Sequence, residues 1–545
     1  MNARRRLERR WLGLPPARCE VLESSASMAT ADGARLATRI LRPADASARR
    51  GAVLIRSERP LPASGARSPV ERLARWLAED GRTVAIQTCR GRGDSEGEFR
   101  AFADEAADGG DALRWMADQP WFDGELVLLG AGYSAFTAWA ALSAATVPIA
   151  ALVAGFGARD PYAWLHRGGV LQLEAALALA ARLDDRTGHD AAALDLARAS
   201  RHRPLAECDR VALRELPAFR DWLAHPECDA WWRERTPALP DPPPRALFVN
   251  GWYECAFPAA YADFEQLSAR CAERGGAVPE LVLGPWGAAP VPRAERARRS
   301  SDVAEFARAM LRFVARAVGA RSIRDLPTRV FVRGVGWREA PSWPPAKTRE
   351  RTLYLGGEGR ANSAAGDGQL AREPGDDRAD AFVADPADPV PSLGGAAVGG
   401  MAGAVDQRPV EERGDVLCFT SEPIESALEI AGRVQLTLHG DPSADAAHTS
   451  AKLVAVERDG AARWLAEGIA RTQPGAAVCV IQLGAAGVRL AAGTRLRVEV
   501  AGSSLPRFAR CEHSPSPRVH AVHHGRARPS ALRFQAMGDE KGPPE

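Results

Sequence analysis

The stretch Glu125-Leu-Val-Leu-Leu-Gly130-Ala131-Gly132-Tyr133-Ser134-Ala135-Phe136 constrains this chain more than any other. An apolar run of strand length meets a tight glycine turn, followed by residues that open a helix. In an α/β arrangement such a turn lies at the carboxyl end of the sheet, where ligands bind. Two devices are built on turns of this kind. A G-x-S-x-G elbow raises a nucleophilic serine, and a G-x-G-x-x-G/A loop seats a dinucleotide pyrophosphate. Gly130, Gly132 and Ala135 fit the second pattern, and Gly132 stands where the first requires serine. A dinucleotide site also needs an acid at the end of the next strand, about twenty residues on. Val153-Ala-Gly-Phe-Gly157 contains none and Asp160 comes late, so no cofactor is expected.

Around that turn, strand and helix patterns alternate. Gly33–Pro43 alternates like a half-buried strand, Gly51-Ala-Val-Leu-Ile-Arg56 reads as a central strand, and Val70–Leu77 has helical spacing. Thr83–Gln87 is a further strand, residues 104–119 an amphipathic helix, and Ile149–Ala154 another strand. Strands alternating with helices predict a parallel sheet covered on both faces. From about residue 161 to 240 the pattern turns helical without strands, as in an inserted cap, before strands resume at Arg245–Asn250 and Glu280–Leu283. A helix over residues 303–318 closes this part.

Beyond residue 326 the texture changes. Arg329–Val332, Arg433–Leu438, Ala451–Val456 and Thr494–Val500 alternate with period two, which predicts an antiparallel sandwich of jelly-roll type. Residues 356–400, rich in Gly, Ala, Asp and Pro, read as long surface loops. The expected organisation is a basic tail (1–22), an α/β domain (23–325) with its cap, a sandwich (326–537) and a short tail (538–545).

The bulk numbers exclude several classes. With 71 basic against 69 acidic residues, nothing points to nucleic acid or an anionic membrane as partner. The arginine-rich start, Arg4 to Arg10, lacks the apolar core of a signal peptide and reads as a solvated or weakly helical tail. Nine scattered cysteines without a C-x-x-C pair suit reduced thiols and a cytoplasmic setting. The ten histidines show no metal-ligand spacing, so no metal is expected.

Several phrases resemble the cocaine esterase and X-Pro dipeptidyl-peptidase (CocE/NonD-type) α/β-hydrolases, in that family's order. They include Arg90-Gly-Arg-Gly-Asp-Ser-Glu-Gly-Glu-Phe99, Gln119-Pro-Trp-Phe-Asp-Gly124, His225-Pro-Glu-Cys-Asp229, Asn250-Gly-Trp-Tyr-Glu254 and Gly284-Pro-Trp286. The second half adds Trp337-Arg-Glu-Ala340, Asp385-Pro-Ala-Asp-Pro-Val-Pro391, Asp406-Gln-Arg-Pro409 and Leu505-Pro-Arg-Phe508. The resemblance implies an α/β-hydrolase domain, an inserted helical cap and a C-terminal β jelly roll, with ester or peptide hydrolysis as the family's chemistry.

Such chemistry needs an activated hydroxyl, an imidazole, an orienting carboxylate and oxyanion donors. The resemblance places these roles at Gly132, Ala288 and Glu254, with Arg59 where a tyrosine oxyanion donor is expected. Glutamate can orient an imidazole; glycine cannot attack and alanine cannot carry a proton. The implied protein has lost its catalytic pair and keeps a binding cleft, with Arg59, Tyr133, Trp252, Glu254 and Trp286 as its candidate residues. The Tyr133 backbone N–H is the remaining oxyanion donor. Ser134 is a packing serine or a replacement nucleophile, Cys255 a structural thiol or a nucleophile, and His166 a capping or cleft histidine. Arg59 pairs with Glu58, Glu254 or solvent, or binds a ligand carboxylate. The expected partner is a small acyl or peptide-like ligand, or protein chains, including a second copy or an active relative. The alternative is a working hydrolase using unorthodox residues in the same cleft.

Overall fold

The computed structural model describes residues 3–45, 50–60, 68–184, 194–292, 302–317, 328–512 and 516–538. The chain begins with helix α1 (Ala3–Trp11) and the antiparallel pair β1 (Val21–Ala29) and β2 (Arg35–Pro43). Then follow β3 (Ala52–Ser57), α2 (Pro69–Glu79), β4 (Thr83–Thr88), α3 (Glu105–Ala117), β5 (Leu126–Ala131), α4 (Tyr133–Ser143) and β6 (Ala151–Gly155).

The cap comes next: α5 (Pro161–Leu165), β7 (His166–Arg167), β8 (Val170–Leu171), α6 (Leu173–Leu183), α7 (Leu196–Arg201), α8 (Cys208–Ala212), α9 (Pro217–Ala224) and α10 (Ala230–Arg235). The sheet resumes with β9 (Arg245–Tyr253), α11 (Phe257–Arg274), β10 (Glu280–Gly287), α12 (Asp302–Ala317), β11 (Thr328–Val332) and β12 (Gly336–Ala340).

The sheet order is β1-β2-β4-β3-β5-β6-β9-β10-β11-β12, parallel from β4 through β11. Its central strands are continuous apolar runs because both faces are covered. Alternate residues enter different cores: Leu54, Ala85, Leu128 and Leu152 on one face, Val53, Ile86, Val127 and Val153 on the other. Ridges of α3, α4 and α11 cover the first face, α2 and α12 the second.

Four sequence expectations need correction. Arg329–Val332 does not belong to the sandwich; as β11 it lies parallel to β10, with Val282 opposite Arg329. Its alternation arises because Val330 and Val332 are buried while Arg329 and Phe331 are half-exposed near the sheet's end. The cap is not strandless, since β7 and β8 form a hairpin through Gly168 and Gly169, both at positive φ. Residues 356–400 are not all loop, because β14 (Gln369–Ala371) and β15 (Arg378–Ala384) lie within them, the latter burying Asp380 and Phe382. The basic N-terminus is helical but not simply solvated. Arg9 is buried against Glu79 at 2.8 Å, and Leu12 and Leu14 enter the core, while Leu7 and Trp11 face outward.

The second body is a β sandwich. It is built from β13 (Thr348–Gly356), β14, β15, the short helix α13 (Arg408–Glu411), β16 (Leu417–Ser421), β17 (Leu428–His439), β18 (Ala447–Val456), β19 (Ala462–Thr472), β20 (Val478–Leu490), β21 (Arg495–Ala501), β22 (Arg518–His524) and β23 (Ala531–Met537). Phe382, Phe419, Leu436, Leu453, Val498 and Phe534 meet in one core. The sandwich closes on the cap. The Arg471 N–H donates to Gly168 O at 2.8 Å, and a Cβ at Gly168 would stand 2.2 Å from Ile469 O. Among the described residues no helix is long and apolar enough to cross a membrane, and no cluster of three or more His, Cys, Asp or Glu could hold a metal ion.

Candidate functional site

The turn between β5 and α4 keeps the shape of a nucleophile elbow. Gly132 caps α4 at φ 63° and ψ −130°, a conformation strained for any residue with a Cβ. Its N–H donates to Gly155 O at 2.8 Å, locking the turn to β6. The neighbouring glycines are required for space. A Cβ at Gly130 would stand 1.9 Å from Ser134 O, and one at Gly157 would stand 2.2 Å from Gly132 O. At Gly132 itself a Cβ would meet nothing within 4 Å. The elbow therefore crowds its surroundings yet leaves open the place where a side chain would project.

That place opens into a cavity of about 340 Å³. Gly132, Glu254 and Ala288 all line it, so the three positions matched to a catalytic triad meet although they lie far apart in sequence. Arg59, Ser134 and Cys255 line it too. The cap contributes Leu179 and Arg182 from α6, and the sandwich reaches in with Val398.

The loop after β3 carries the most informative contacts. The Ser57 hydroxyl accepts from the Arg59 N–H at 3.1 Å and donates to Arg59 O at 3.2 Å, which fixes the backbone there. Ser134 Oγ donates to Glu58 Oε2 at 3.1 Å, and Arg59 Nε lies 3.6 Å from Glu58 Oε1. Glu58 thus joins the elbow to the Arg59 loop. The Cys255 thiol is pushed up to about 12, first by burial and then by Glu254, which keeps it protonated at neutral pH.

Three expected cleft residues sit differently. Tyr133 borders the cavity, but its ring is buried among Phe99, Phe102 and Phe136. Its hydroxyl accepts from the Phe102 N–H at 2.8 Å and donates to Glu105 at 3.1 Å, so only its backbone N–H is left for a ligand. Trp252 is not on the cavity wall; its indole donates to Phe331 O at 2.7 Å and packs against Trp343 and Gly487 at the domain junction. Trp286 is a core residue, nearly buried beside Phe156 and Trp337. His166 is likewise no cleft residue. It stacks on Tyr162 at 4.2 Å, and burial lowers its pKa to about 4.

Sequence reasoning missed Arg182, Glu58 as a bridge, and a buried ionic group beneath the elbow. Arg56, at the end of β3, pairs with Glu105 at 2.8 Å and also approaches Asp108. Burial raises the Glu105 pKa, while Arg56 and the Tyr133 hydroxyl oppose that rise. An arginine ending an apolar central strand was the available signal, because a buried guanidinium demands a carboxylate.

Residues 32–287 match the family model described as X-Pro dipeptidyl-peptidase (S15 family). Residues 323–533 match that of the X-Pro dipeptidyl-peptidase C-terminal non-catalytic domain. A cocaine esterase from Rhodococcus sp. (strain MB1 Bresler) is 32% identical over 540 residues, covering 88% of this chain and 90% of that protein. Among solved structures, an aminopeptidase from a marine sediment Thaumarchaeota archaeon superposes with a TM-score of 0.77 at 19% identity, over 96% of this chain and 98% of that one. An α-amino acid ester hydrolase superposes with a TM-score of 0.76 at 19% identity, over 96% and 97%. With an elbow under a helical cap, a sandwich behind it and matches over both bodies, the chain belongs to the cocaine esterase and X-Pro dipeptidyl-peptidase family of α/β-hydrolases.

Proposed function

We propose that this chain is a non-hydrolytic member of its family, a protein that binds a small acyl or peptide-like ligand in the cleft without cleaving it. One observation carries the reading: Gly132 and Ala288 line the same cavity as Glu254. Where family chemistry calls for a nucleophile and a base, neither residue has an atom to serve. No histidine is among the described residues that line the cavity. Losing one half of the pair could be offset by a neighbour; losing both removes the proton transfer and the attacking atom together.

The second reading is an acyl or peptide hydrolase with Ser134 as nucleophile. The 3.1 Å bond from Ser134 to Glu58 favours it, since a carboxylate can accept a hydroxyl proton. Against it, Ser134 is 3% exposed, which leaves little room for attack on a carbonyl.

Incubation with a fluorophosphonate probe and a panel of activated esters separates the two. The binding reading expects no covalent adduct and no turnover above a denatured control. An adduct at Ser134, with turnover abolished in Ser134→Ala, establishes the hydrolase.

A further inference from the structure

The cleft's ligand can be narrowed by the Arg59 guanidinium on the cavity wall. Arg59 is held by Ser57 through its backbone and by Glu58 beside its Nε. Its two terminal nitrogens have no acceptor among the described residues, and its side chain is 42% exposed on the cavity wall. A preset guanidinium with an open fork matches a carboxylate in bidentate geometry. Glu58 does not compete for an incoming anion's place, because one of its oxygens faces Arg59 Nε and the other accepts from Ser134.

The rest of the cavity agrees. At Gly132 the direction of a side chain is empty to 4 Å, which gives a head group room beside the elbow. Val70, Phe156, Trp164, Leu179 and Val398 supply an apolar wall. On the β9 side Glu254 and Arg182 both act on the Cys255 thiol, in opposite directions, so that wall carries both signs.

We infer that the cleft selects a free carboxylic acid with an apolar body, not the corresponding ester or amide, and that Arg59 is the residue that selects it. This rests on the non-hydrolytic reading above and deepens it. An ester offers no charge to the two terminal nitrogens, so binding would strip their water and return at most one neutral acceptor. The acid replaces that water with two charge-assisted hydrogen bonds.

The test is calorimetric titration of the full chain with hexanoate, phenylacetate and N-acetyl-leucine, each against its methyl ester and primary amide. At least one acid is expected to bind about ten-fold or more tightly than its neutral analogues. Arg59→Gln should remove that preference while leaving the thermal unfolding midpoint in place, and Arg59→Lys should keep part of it. Equal binding of acid, ester and amide overturns the inference, as does acid affinity unchanged in Arg59→Gln. Failure of all three acids to bind at about 10 mM also overturns it, since a matched ion pair in a formed cavity should exceed that affinity. The two readings fail separately. Fluorophosphonate labelling removes the non-hydrolytic reading, whereas lost acid selectivity in an unlabelled protein removes only the ligand class.

Discussion

Ser134 Oγ lies 3.1 Å from Glu58 Oε2, so the hydroxyl two residues beyond Gly132 is tied to a carboxylate and not to an imidazole. This bond links α4 to the loop after β3 and has a structural effect of its own. Ser134→Ala removes one charge-assisted hydrogen bond and should cost about 1–2 kcal/mol in urea unfolding. Ester turnover should not change. A variant that is structurally intact yet loses a measurable esterase rate would contradict the structural role.

Reconstruction of the pair tests whether the cleft still has hydrolase geometry. A serine side chain at position 132 meets nothing within 4 Å of its Cβ, so its obstacle is backbone strain at φ 63° and not a clash. Gly132→Ser should therefore fold, destabilised by about 1–3 kcal/mol. It should remain inert, because Ala288 offers no base. Gly132→Ser with Ala288→His should hydrolyse p-nitrophenyl acetate at least about a hundred-fold faster than either single variant. A double variant no faster than the singles would mean that positions 132, 254 and 288 no longer approach in a productive arrangement.

The parts of this architecture that were legible share a physical basis. Strands such as β3 and β5 are covered on both faces and so announce themselves as apolar runs, and the elbow announces itself through glycines that packing demands at 130 and 157. The β7–β8 hairpin is two residues per strand, too short for any period, and leaves only the Gly168-Gly169 pair as a trace. β11 alternates because one of its faces is half-open, and a strand near the end of a parallel sheet then looks like one from a sandwich. The family resemblance makes Trp252 and Trp286 candidate cleft residues, two positions before Glu254 and Ala288 respectively. Both tryptophans still belong to strands and point into packed layers, while Glu254 and Ala288 lie just past the strand ends, where the backbone turns toward the cavity. The tie between Ser134 and Glu58 spans 76 residues and left no local pattern to read.

Cys255 offers a direct check on the cavity's electrostatics. Its thiol is pushed up to about 12, so the reactive thiolate is scarce at neutral pH. Iodoacetamide at pH 8 should label it about ten-fold or more slowly than Cys228, which is exposed on the cap. Peptide mass spectrometry over a time course gives both rates in one sample. In urea the difference should vanish. Rapid native labelling of Cys255 would show that it is ionised and would reopen its role as a nucleophile.

Stability against pH should carry two opposing contributions over nearly the same range, with the carboxyls outweighing the histidine. Burial, helped by Glu499, raises Glu411 from 4.5 to about 7. The folded chain therefore holds this proton where the unfolded chain has released it, and stability falls as pH rises from about 4.5 toward 7. Asp263, raised from 3.8 to about 6, adds to the same decline. His166 acts the other way. Lowered from 6.5 to about 4, it costs stability as pH falls through that window, because the unfolded chain takes up the proton first. Urea titrations from pH 4 to 8 should find that Glu411→Gln flattens the decline toward neutrality, because Asp263 and His166 then nearly offset each other. His166→Gln should steepen the decline between about pH 4 and 6.5, because it removes the one contribution that opposes the two carboxyls.

The cavity's shape depends on an ionic group that spans cap and sandwich. Arg507 Nε donates to Glu174 Oε1 at 2.9 Å, both side chains are 2% exposed, and Arg507 also pairs with Glu467 of β19. Arg507 further donates to Gly394 O, and Glu174 Oε2 accepts from the Gly399 N–H at 3.3 Å. One guanidinium thus holds together α6, which carries Leu179 and Arg182, and the sandwich segment that carries Val398 into the cavity. Arg507→Met leaves two buried carboxylates without their cation and should cost about 3–5 kcal/mol. Glu174→Gln keeps one accepting oxygen, loses the other, and leaves no unpaired buried charge on α6, so it should cost less. The distinguishing readout is hydrogen exchange. Faster exchange should concentrate in α6 and in residues 390–407, with β3 to β5 unchanged, because the elbow is secured separately by Gly155 and the Arg56 group. A uniform increase over the whole chain would mean that Arg507 supports global stability and does not set the cavity wall.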